Sequence, residues 1–173
     1  MINSIRTRYT DSVNFFGGRT PYDLVKEFGS PLYVYNENIL RERCRELLAL
    51  SSHPGFRVCY SGKANANISL LRIIRETGLC GDAMSPGELA MQLAAGFAPE
   101  DLVYVCNNVC MEEMKNAVEH NLLISLDSLD QVDVFGKNFP GRKIMVRLNP
   151  GIGAGHHQKV ITDRKSTRLN SSH

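Results

Sequence analysis

Along the middle of this chain, the pattern of hydrophobic positions changes repeatedly between two forms. One form is a short continuous apolar run bounded by turn residues, which is typical of a buried strand. Such runs occur at 57–61, 79–84, 102–105, 122–126 and 143–148. The other form places an apolar residue at every third or fourth position and predicts an amphipathic helix; it occurs at 68–77, 86–95, 111–121 and 129–136. The pattern therefore predicts four strand–helix units followed by a fifth strand.

This alternation predicts a parallel sheet, because each helix carries the chain back to the edge of the sheet where the next strand begins. Parallel sheets close as eight-stranded barrels or stay open as doubly wound sheets. A Gly-x-Gly-x-x-Gly sequence between the first strand and its helix would favour the open, dinucleotide-binding form, and it is absent. We therefore predict an α/β fold that forms the first four to five units of a TIM-type (β/α)8 barrel.

The residues before this alternation are predicted to form an arm and a first strand. Positions 1–20 are mostly polar, and a short helix is expected from Pro21 to Phe28, where Gly29 ends it. The run at 31–35 is rich in strand-forming residues and predicts a strand. Asn36 is then expected to cap a helix that begins the barrel. We divide the chain into an arm with its strand at 1–35 and the N-terminal half of a barrel at 36–162.

The last eleven residues, 163–173, differ in character from the rest. They resemble the translation of a sequencing adapter, and we interpret them as a non-native tail that should be left out of fold reasoning. The formal net charge of the chain is +2. Without the tail the chain carries 17 basic and 17 acidic residues, so its composition gives no sign of nucleic-acid binding or of an anionic membrane partner.

The glycine-rich loop at 151–155 follows the fifth strand and leads into His156 and His157. Its backbone N–H groups could cradle a phosphate, but a flexible connection is the interpretation we favour. We interpret the two histidines as loop residues rather than metal ligands. The five cysteines lack a second ligand pair at metal-binding spacing, so we interpret them as reduced thiols of the core and expect a cytoplasmic location.

In a barrel the carboxyl ends of the strands converge, and active sites lie there. The first strand end is followed by Lys63, an isolated lysine among small and amide side chains, which is a candidate nucleophile. The alternative is an ordinary solvated lysine in a loop. The other strand ends contribute further polar residues: Asp82, then Ser85 and Glu88, at the second, Asn107 and Asn108 at the third, Asp127 and Ser128 at the fourth, and Arg147, then Asn149, at the fifth. Such a rim suits an anionic cofactor and a polar substrate.

Four motifs occur in an order and spacing that resemble a known family. They are Tyr60-Ser-Gly-Lys63-Ala-Asn65, Gly81-Asp82-Ala-Met-Ser85-Pro-Gly-Glu88-Leu89, Ala95-Gly96-Phe97 and Val146-Arg147-Leu-Asn149-Pro150. Together they are similar to the N-terminal barrel of the pyridoxal-phosphate decarboxylases of the alanine-racemase-like fold type. Within that family the resemblance is greatest to the branch that converts meso-diaminopimelate to L-lysine and carbon dioxide. It covers roughly residues 20 to 162.

The resemblance implies roles for four residues. Lys63 would hold pyridoxal 5'-phosphate covalently and handle protons during the reaction. Asp82 would lie near Lys63 and the cofactor, Arg147 would lie near the phenolic oxygen of the cofactor, and Glu88 would belong to the cofactor site or to its surroundings. The family pattern has a lysine where Val109 stands, so Val109 is given no role.

The resemblance also implies that the phosphate-binding glycines, the ring-stacking histidine, the rest of the barrel and a C-terminal β-domain lie beyond Thr162. We therefore expect the parent protein to be a homodimeric carboxy-lyase acting on a small amino acid, and the 173-residue chain alone to be inactive. Decarboxylation of ornithine, arginine or carboxynorspermidine stays open as an alternative. So does a non-catalytic barrel that binds a partner, although such a protein would not need Lys63.

Overall fold

A computed structural model describes residues 14–107 and 109–148 and shows a sheet of five parallel strands. The strands are β1 (Cys59–Ser61), β2 (Cys80–Ala83), β3 (Leu102–Cys106), β4 (Leu123–Leu126) and β5 (Ile144–Val146). The helices are α1 (Pro21–Phe28), α2 (Glu37–Leu48), α3 (Ile68–Glu76), α4 (Pro86–Ala94), α5 (Met111–Glu119) and α6 (Leu129–Asn138). Short 3-10 turns occur at Gly62–Ala64 and Pro99–Asp101. The predicted alternation of strand and helix is confirmed.

The strands lie side by side in the order in which they follow along the chain, from β1 to β5. Each neighbouring pair is parallel, with Ser61 opposite Asp82 and Cys106 opposite Leu126 as examples of the register. A doubly wound sheet reverses its strand order at a switch point, and the described strands contain no such reversal. This order is that of a barrel wall, as predicted.

One face of the sheet is covered and the other is open. Ala83, Tyr104 and Ile124 lie side by side in the register and are each 1% exposed or less. They form one core cluster with helix residues such as Leu89 and Met114. The alternate strand positions, including Asp82 and Val103, are half-buried. Because side chains alternate between the faces of a strand, the helices cover one face and the partly exposed face is the inner side of the barrel wall.

Side-chain caps define where the helices begin. Asn36 accepts a hydrogen bond from the backbone N–H of Ile39, as predicted, and Ser85 accepts one from Glu88. The sequence Ser85-Pro-Gly-Glu88 fits a capping box, which predicts that the Glu88 side chain also accepts from the backbone N–H of Ser85. The Glu88 carboxylate accepts instead from the N–H of Met84. Gly29 ends α1 with a φ of 86°, a left-handed conformation that favours glycine. The expected capping box at Ser85 is therefore only half correct.

The predicted strand at 31–35 is wrong, since these residues form no strand. Every strand pairing among the described residues joins two of β1 to β5, so this run has no ladder partner there. Tyr33 is 84% exposed. Strand-forming residues favour an extended chain, but a strand also needs a neighbour to accept its hydrogen bonds.

The prediction that the cysteines belong to the core holds for three of them. Cys44, Cys80 and Cys106 are buried, whereas Cys59 and Cys110 are exposed. Cys59 begins β1 at the edge of the described sheet, and Cys110 stands at the N-cap of α5, ahead of its first turn. Burial raises the pKa of the Cys106 thiol to about 12.

Among the described residues, no helix has both the length and the apolar composition needed to cross a membrane.

Tyr104 gives a stability prediction, because its hydroxyl is buried without a hydrogen-bond partner among the described residues. Burial also raises the pKa of this phenol. A buried polar group without a partner destabilises the folded state, so removing the hydroxyl should not lower the free energy of unfolding. We expect Tyr104→Phe to leave the free energy of unfolding unchanged, or to raise it by about 1 kcal/mol, as measured by urea denaturation.

The matched control is Tyr60→Phe, because the Tyr60 hydroxyl donates to the backbone oxygen of Asn65 at 3.2 Å. That variant should lose about 1 kcal/mol. An equal loss in the two variants would show that the Tyr104 hydroxyl has a partner in solution.

Candidate active site

Lys63 lies in the 3-10 turn Gly62–Ala64, directly after β1 ends at Ser61. Its side chain is exposed. Just beyond the turn, the side-chain oxygen of Asn65 accepts from the N–H of Asn67, and Asn67 in turn caps α3. Lys63 is therefore held on an ordered strand-to-helix connection at the carboxyl end of the sheet.

Two tyrosines support this connection from the covered side. The Tyr60 hydroxyl donates to the backbone oxygen of Asn65, and the side-chain amide of Asn65 donates to the Tyr35 hydroxyl at 2.8 Å. Tyr35 and Asn65 also line an apolar cavity of about 300 Å³ beside α2 and α3. Tyr35 comes from the region before the barrel, so no local sequence pattern connects it to the site.

Asp82 lies beside Lys63, on the neighbouring strand. Its carboxylate accepts a hydrogen bond from the Ser61 hydroxyl at 3.1 Å. Burial raises the pKa of the Asp82 carboxyl, while Ser61 and the Lys63 charge act in the opposite direction and Glu88 adds to the increase. Ser61 was not predicted as a site residue, although its place opposite Asp82 follows from a parallel register.

The raised pKa of Asp82 predicts a pH dependence of stability. A carboxyl whose pKa is higher in the folded state favours folding at low pH, and this contribution is lost as the pH rises through the folded pKa. The Asp82→Asn variant has no carboxyl to titrate at this position, so it does not lose stability in this way as the pH rises. Its amide oxygen can still accept a hydrogen bond from Ser61. We expect the variant to gain stability relative to wild type as the pH rises from about 4, up to a plateau, in urea unfolding measured at several pH values. A difference that stays constant with pH would contradict the assigned pKa shift.

Glu88 lies in the first turn of α4, close to the turn that carries Lys63. Its carboxylate accepts from the N–H of Met84 at 3.0 Å. It also lies 3.5 Å from the position that a Gly62 Cβ would occupy. Glu88 therefore joins the end of β2 to the turn that carries Lys63.

Arg147 follows β5, three strands away from Asp82. One of its guanidinium nitrogens donates to the side-chain oxygen of Asn107 at 3.1 Å, which spans the end of β4. The backbone N–H of Arg147 donates to Leu126. Of the four predicted site residues, Lys63, Asp82 and Glu88 are brought together, and Arg147 lies farther along the same rim.

Other predicted rim residues have local roles or lie outside the described residues. Ser128 caps α6 by accepting from Gln131, and the N–H of the buried Asp127 donates to the Gln131 side chain. Asn108, Asn149 and the loop with His156 and His157 fall outside the described residues.

Known proteins share sequence and fold with this chain. The family described as "Pyridoxal-dependent decarboxylase, pyridoxal binding domain" matches residues 38–169. The diaminopimelate decarboxylase of Methanothermobacter thermautotrophicus is 40% identical over 156 residues, which cover 88% of this chain and 36% of the relative. The Escherichia coli diaminopimelate decarboxylase is 34% identical over 149 residues, covering 84% and 34%. The chain thus spans about a third of the length of these relatives.

Solved structures share the fold. A diaminopimelate decarboxylase structure that is 33% identical superposes with a TM-score of 0.69, covering 79% of this chain and 32% of the other. The Helicobacter pylori diaminopimelate decarboxylase complexed with L-lysine gives a TM-score of 0.74 at 23% identity, covering 83% and 38%. At that identity the likeness concerns the fold alone. These matches confirm the predicted fold class. Since the family's pyridoxal-binding domain matches more than half of the chain, this chain belongs to the pyridoxal-dependent decarboxylases.

Proposed function

We propose that the complete protein carrying this sequence is a pyridoxal-phosphate-dependent decarboxylase that acts on meso-diaminopimelate, and that Lys63 holds the cofactor. The observation that carries the proposal is the exposed Lys63 at the carboxyl end of β1, beside a half-buried Asp82 whose pKa is raised. A lysine in a loop with no further function would not need such a neighbour.

The described residues fit pyridoxal phosphate chemically. The cofactor needs an accessible primary amine, and Lys63 provides one on an ordered turn. Its ring oxygen and phosphate are anionic, and Arg147 presents a permanently charged guanidinium at the same rim. Asn107 accepts one hydrogen bond from this guanidinium and orients it. The glycine-rich stretch at 151–155, a candidate for the phosphate, lies outside the described residues.

When bound, pyridoxal phosphate supplies an aldehyde that condenses with an amine, releasing water, and a ring that accepts the electron pair left by carbon dioxide. The residues of this chain have the remaining tasks. Lys63 Nζ would hold the cofactor through its amine and could carry a proton near the reacting carbon. Asp82 would place its carboxyl beside Lys63, and burial raises the pKa of that carboxyl. Ser61 fixes the orientation of that carboxyl.

Glu88 has a supporting part in this proposal. Its carboxylate is engaged by the N–H of Met84 and faces Gly62. We assign it to holding the Lys63 turn against α4, so that it acts on the cofactor site through the backbone.

The choice of meso-diaminopimelate rests on the relatives, which carry that name at 40% and 34% identity. The substrate carries two amino-acid centres, so the enzyme must recognise the distal one by polar groups. Ornithine, arginine and carboxynorspermidine are the alternative substrates. The resemblance also implies a homodimer, which analytical ultracentrifugation of the complete protein would test.

The test of the substrate is a competition among candidates. The complete protein with pyridoxal phosphate should release carbon dioxide from meso-diaminopimelate with a kcat/KM at least about 100-fold above that for ornithine or arginine, since a site built to pair polar groups rejects analogues that lack them. Release of carbon dioxide from ornithine at a similar or higher efficiency would move the proposal to that substrate. If no carbon dioxide were released from meso-diaminopimelate, ornithine, arginine or carboxynorspermidine, the non-catalytic alternative would be supported.

A further inference from the structure

Gln92 is a buried polar residue directly behind the Lys63 turn. It lies on α4, one helical turn after Glu88, so both side chains project from the same face of the helix. Its side chain is 0% exposed. Its amide nitrogen donates to the backbone oxygen of Asp82 at 2.6 Å. A glutamine side chain thus binds the backbone of a proposed site residue from the covered side of the sheet.

Two glycines make room for this side chain. A Cβ added at Gly62 would lie 2.6 Å from the Gln92 amide nitrogen, and a Cβ added at Gly81 would lie 2.7 Å from its amide oxygen. Both distances are too short for real atoms. Neither glycine has a positive φ, so the backbone does not demand glycine there. The Gln92 amide occupies the space beside both glycines, and Leu102 Cδ2 also lies 2.8 Å from the Gly81 Cβ position.

Filling this space with the Gln92 amide destabilises the folded state. Its oxygen is buried without a hydrogen-bond partner among the described residues, which costs free energy that an apolar side chain of similar size would avoid. The compensating gain is the hydrogen bond from the nitrogen to Asp82. Departures from the rule that buried polar atoms have hydrogen-bond partners are expected mainly at functional sites.

We propose that Gln92 is a positioning residue that fixes the Lys63 turn relative to Asp82. Its amide nitrogen lies against Gly62, the residue before Lys63, and at the same time holds the backbone oxygen of Asp82. The carboxylate of Glu88 contacts the same glycine from the preceding helical turn. The inference rests on the proposed function for its significance, but its geometry can be tested without the cofactor.

The first test separates positioning from packing with Gln92→Met. Methionine keeps the volume, loses the bond to Asp82 and removes the buried oxygen, so the two effects on global stability oppose each other. We expect the urea midpoint of the complete protein to change little. Amide hydrogen exchange at 62–64 should become about tenfold faster, as loss of one hydrogen bond implies, and attachment of pyridoxal phosphate to Lys63 should slow. Unchanged exchange at 62–64 would overturn the proposal.

The second test uses the contact with Gly62. In wild type, Gly62→Ala should speed exchange at 62–64, because the new methyl group meets the Gln92 amide. In the Gln92→Ala background the same change should speed exchange less, because the clash with the amide is gone and only the 3.2 Å approach to the Asp82 backbone oxygen remains. An equal effect of Gly62→Ala in both backgrounds would contradict the proposal.

Two glycines serve as controls for this test. Gly81→Ala should be damaging in both backgrounds, because its Cβ would also lie 2.8 Å from Leu102 Cδ2. Gly136→Ala in α6 has nothing within 4 Å and should leave exchange at 62–64 unchanged. If Lys63 of wild type fails to bind pyridoxal phosphate while the exchange results hold, the proposed function fails and the role of Gln92 in positioning the turn stands.

Discussion

Replacing Lys63 with arginine should reduce decarboxylation by the complete protein at least about 1,000-fold. Arginine keeps the positive charge and much of the length, but its guanidinium stays protonated and cannot act as an amine nucleophile. Lys63 is exposed on its turn, so the change should not disturb folding. The measurement is kcat for carbon dioxide release, together with the urea midpoint.

The matched control for this prediction is Lys115→Arg. Lys115 is an exposed lysine on α5 that lies 3.8 Å from Glu119. An arginine can make the same surface ion pair, which contributes little, so activity should stay within about twofold. If Lys63→Arg kept activity close to that of Lys115→Arg, Lys63 would be an ordinary solvated lysine.

Truncating Leu126 to alanine should be the most destabilising of the substitutions considered, at about 2–5 kcal/mol. Leu126 ends β4 on the covered face of the sheet and is 0% exposed. The change removes buried methyl groups and leaves a cavity among helix and strand residues of the core. Such a loss is a large part of the total stability of an ordinary domain, so a strongly shifted urea midpoint is expected.

Leu123 provides the control for Leu126, because it begins the same strand and is 38% exposed. It pairs with Val103, on the partly exposed face. Leu123→Ala should cost less than about 1 kcal/mol, as partly exposed positions do. Equal losses at the two positions would show that both faces of β4 are packed and that the inner side is not open.

Much of the fold follows from local sequence patterns. Short apolar runs and helical periodicity predicted all five strands and the helices between them, because each of these elements packs against its own neighbours in sequence. The predicted strand at 31–35 was wrong because it, too, rested on a local pattern alone. Its residues favour an extended chain, and no local pattern can tell whether a pairing strand will lie beside it.

The site was predictable where chemistry and spacing combine. Lys63 follows the end of β1 and Asp82 lies near the end of β2, and the parallel register, with Asp82 opposite Ser61, brings them together. Gln92, Ser61 and Tyr35 were missed, because their roles depend on three-dimensional contacts. A glutamine at an apolar helix position, with one glycine in β2 and another directly after β1, is a signal that could have pointed to Gln92. Without the register there was no reason to combine these positions.

The central claim is that Lys63 is the residue that holds pyridoxal phosphate. The most direct measurement is to incubate the complete protein with limiting pyridoxal phosphate, reduce it with borohydride, and identify the modified lysine by peptide mass spectrometry. We predict that the label lies on Lys63, while exposed lysines such as Lys115 and Lys137 stay largely unmodified. A label spread evenly over surface lysines, or its absence from Lys63, would contradict the account.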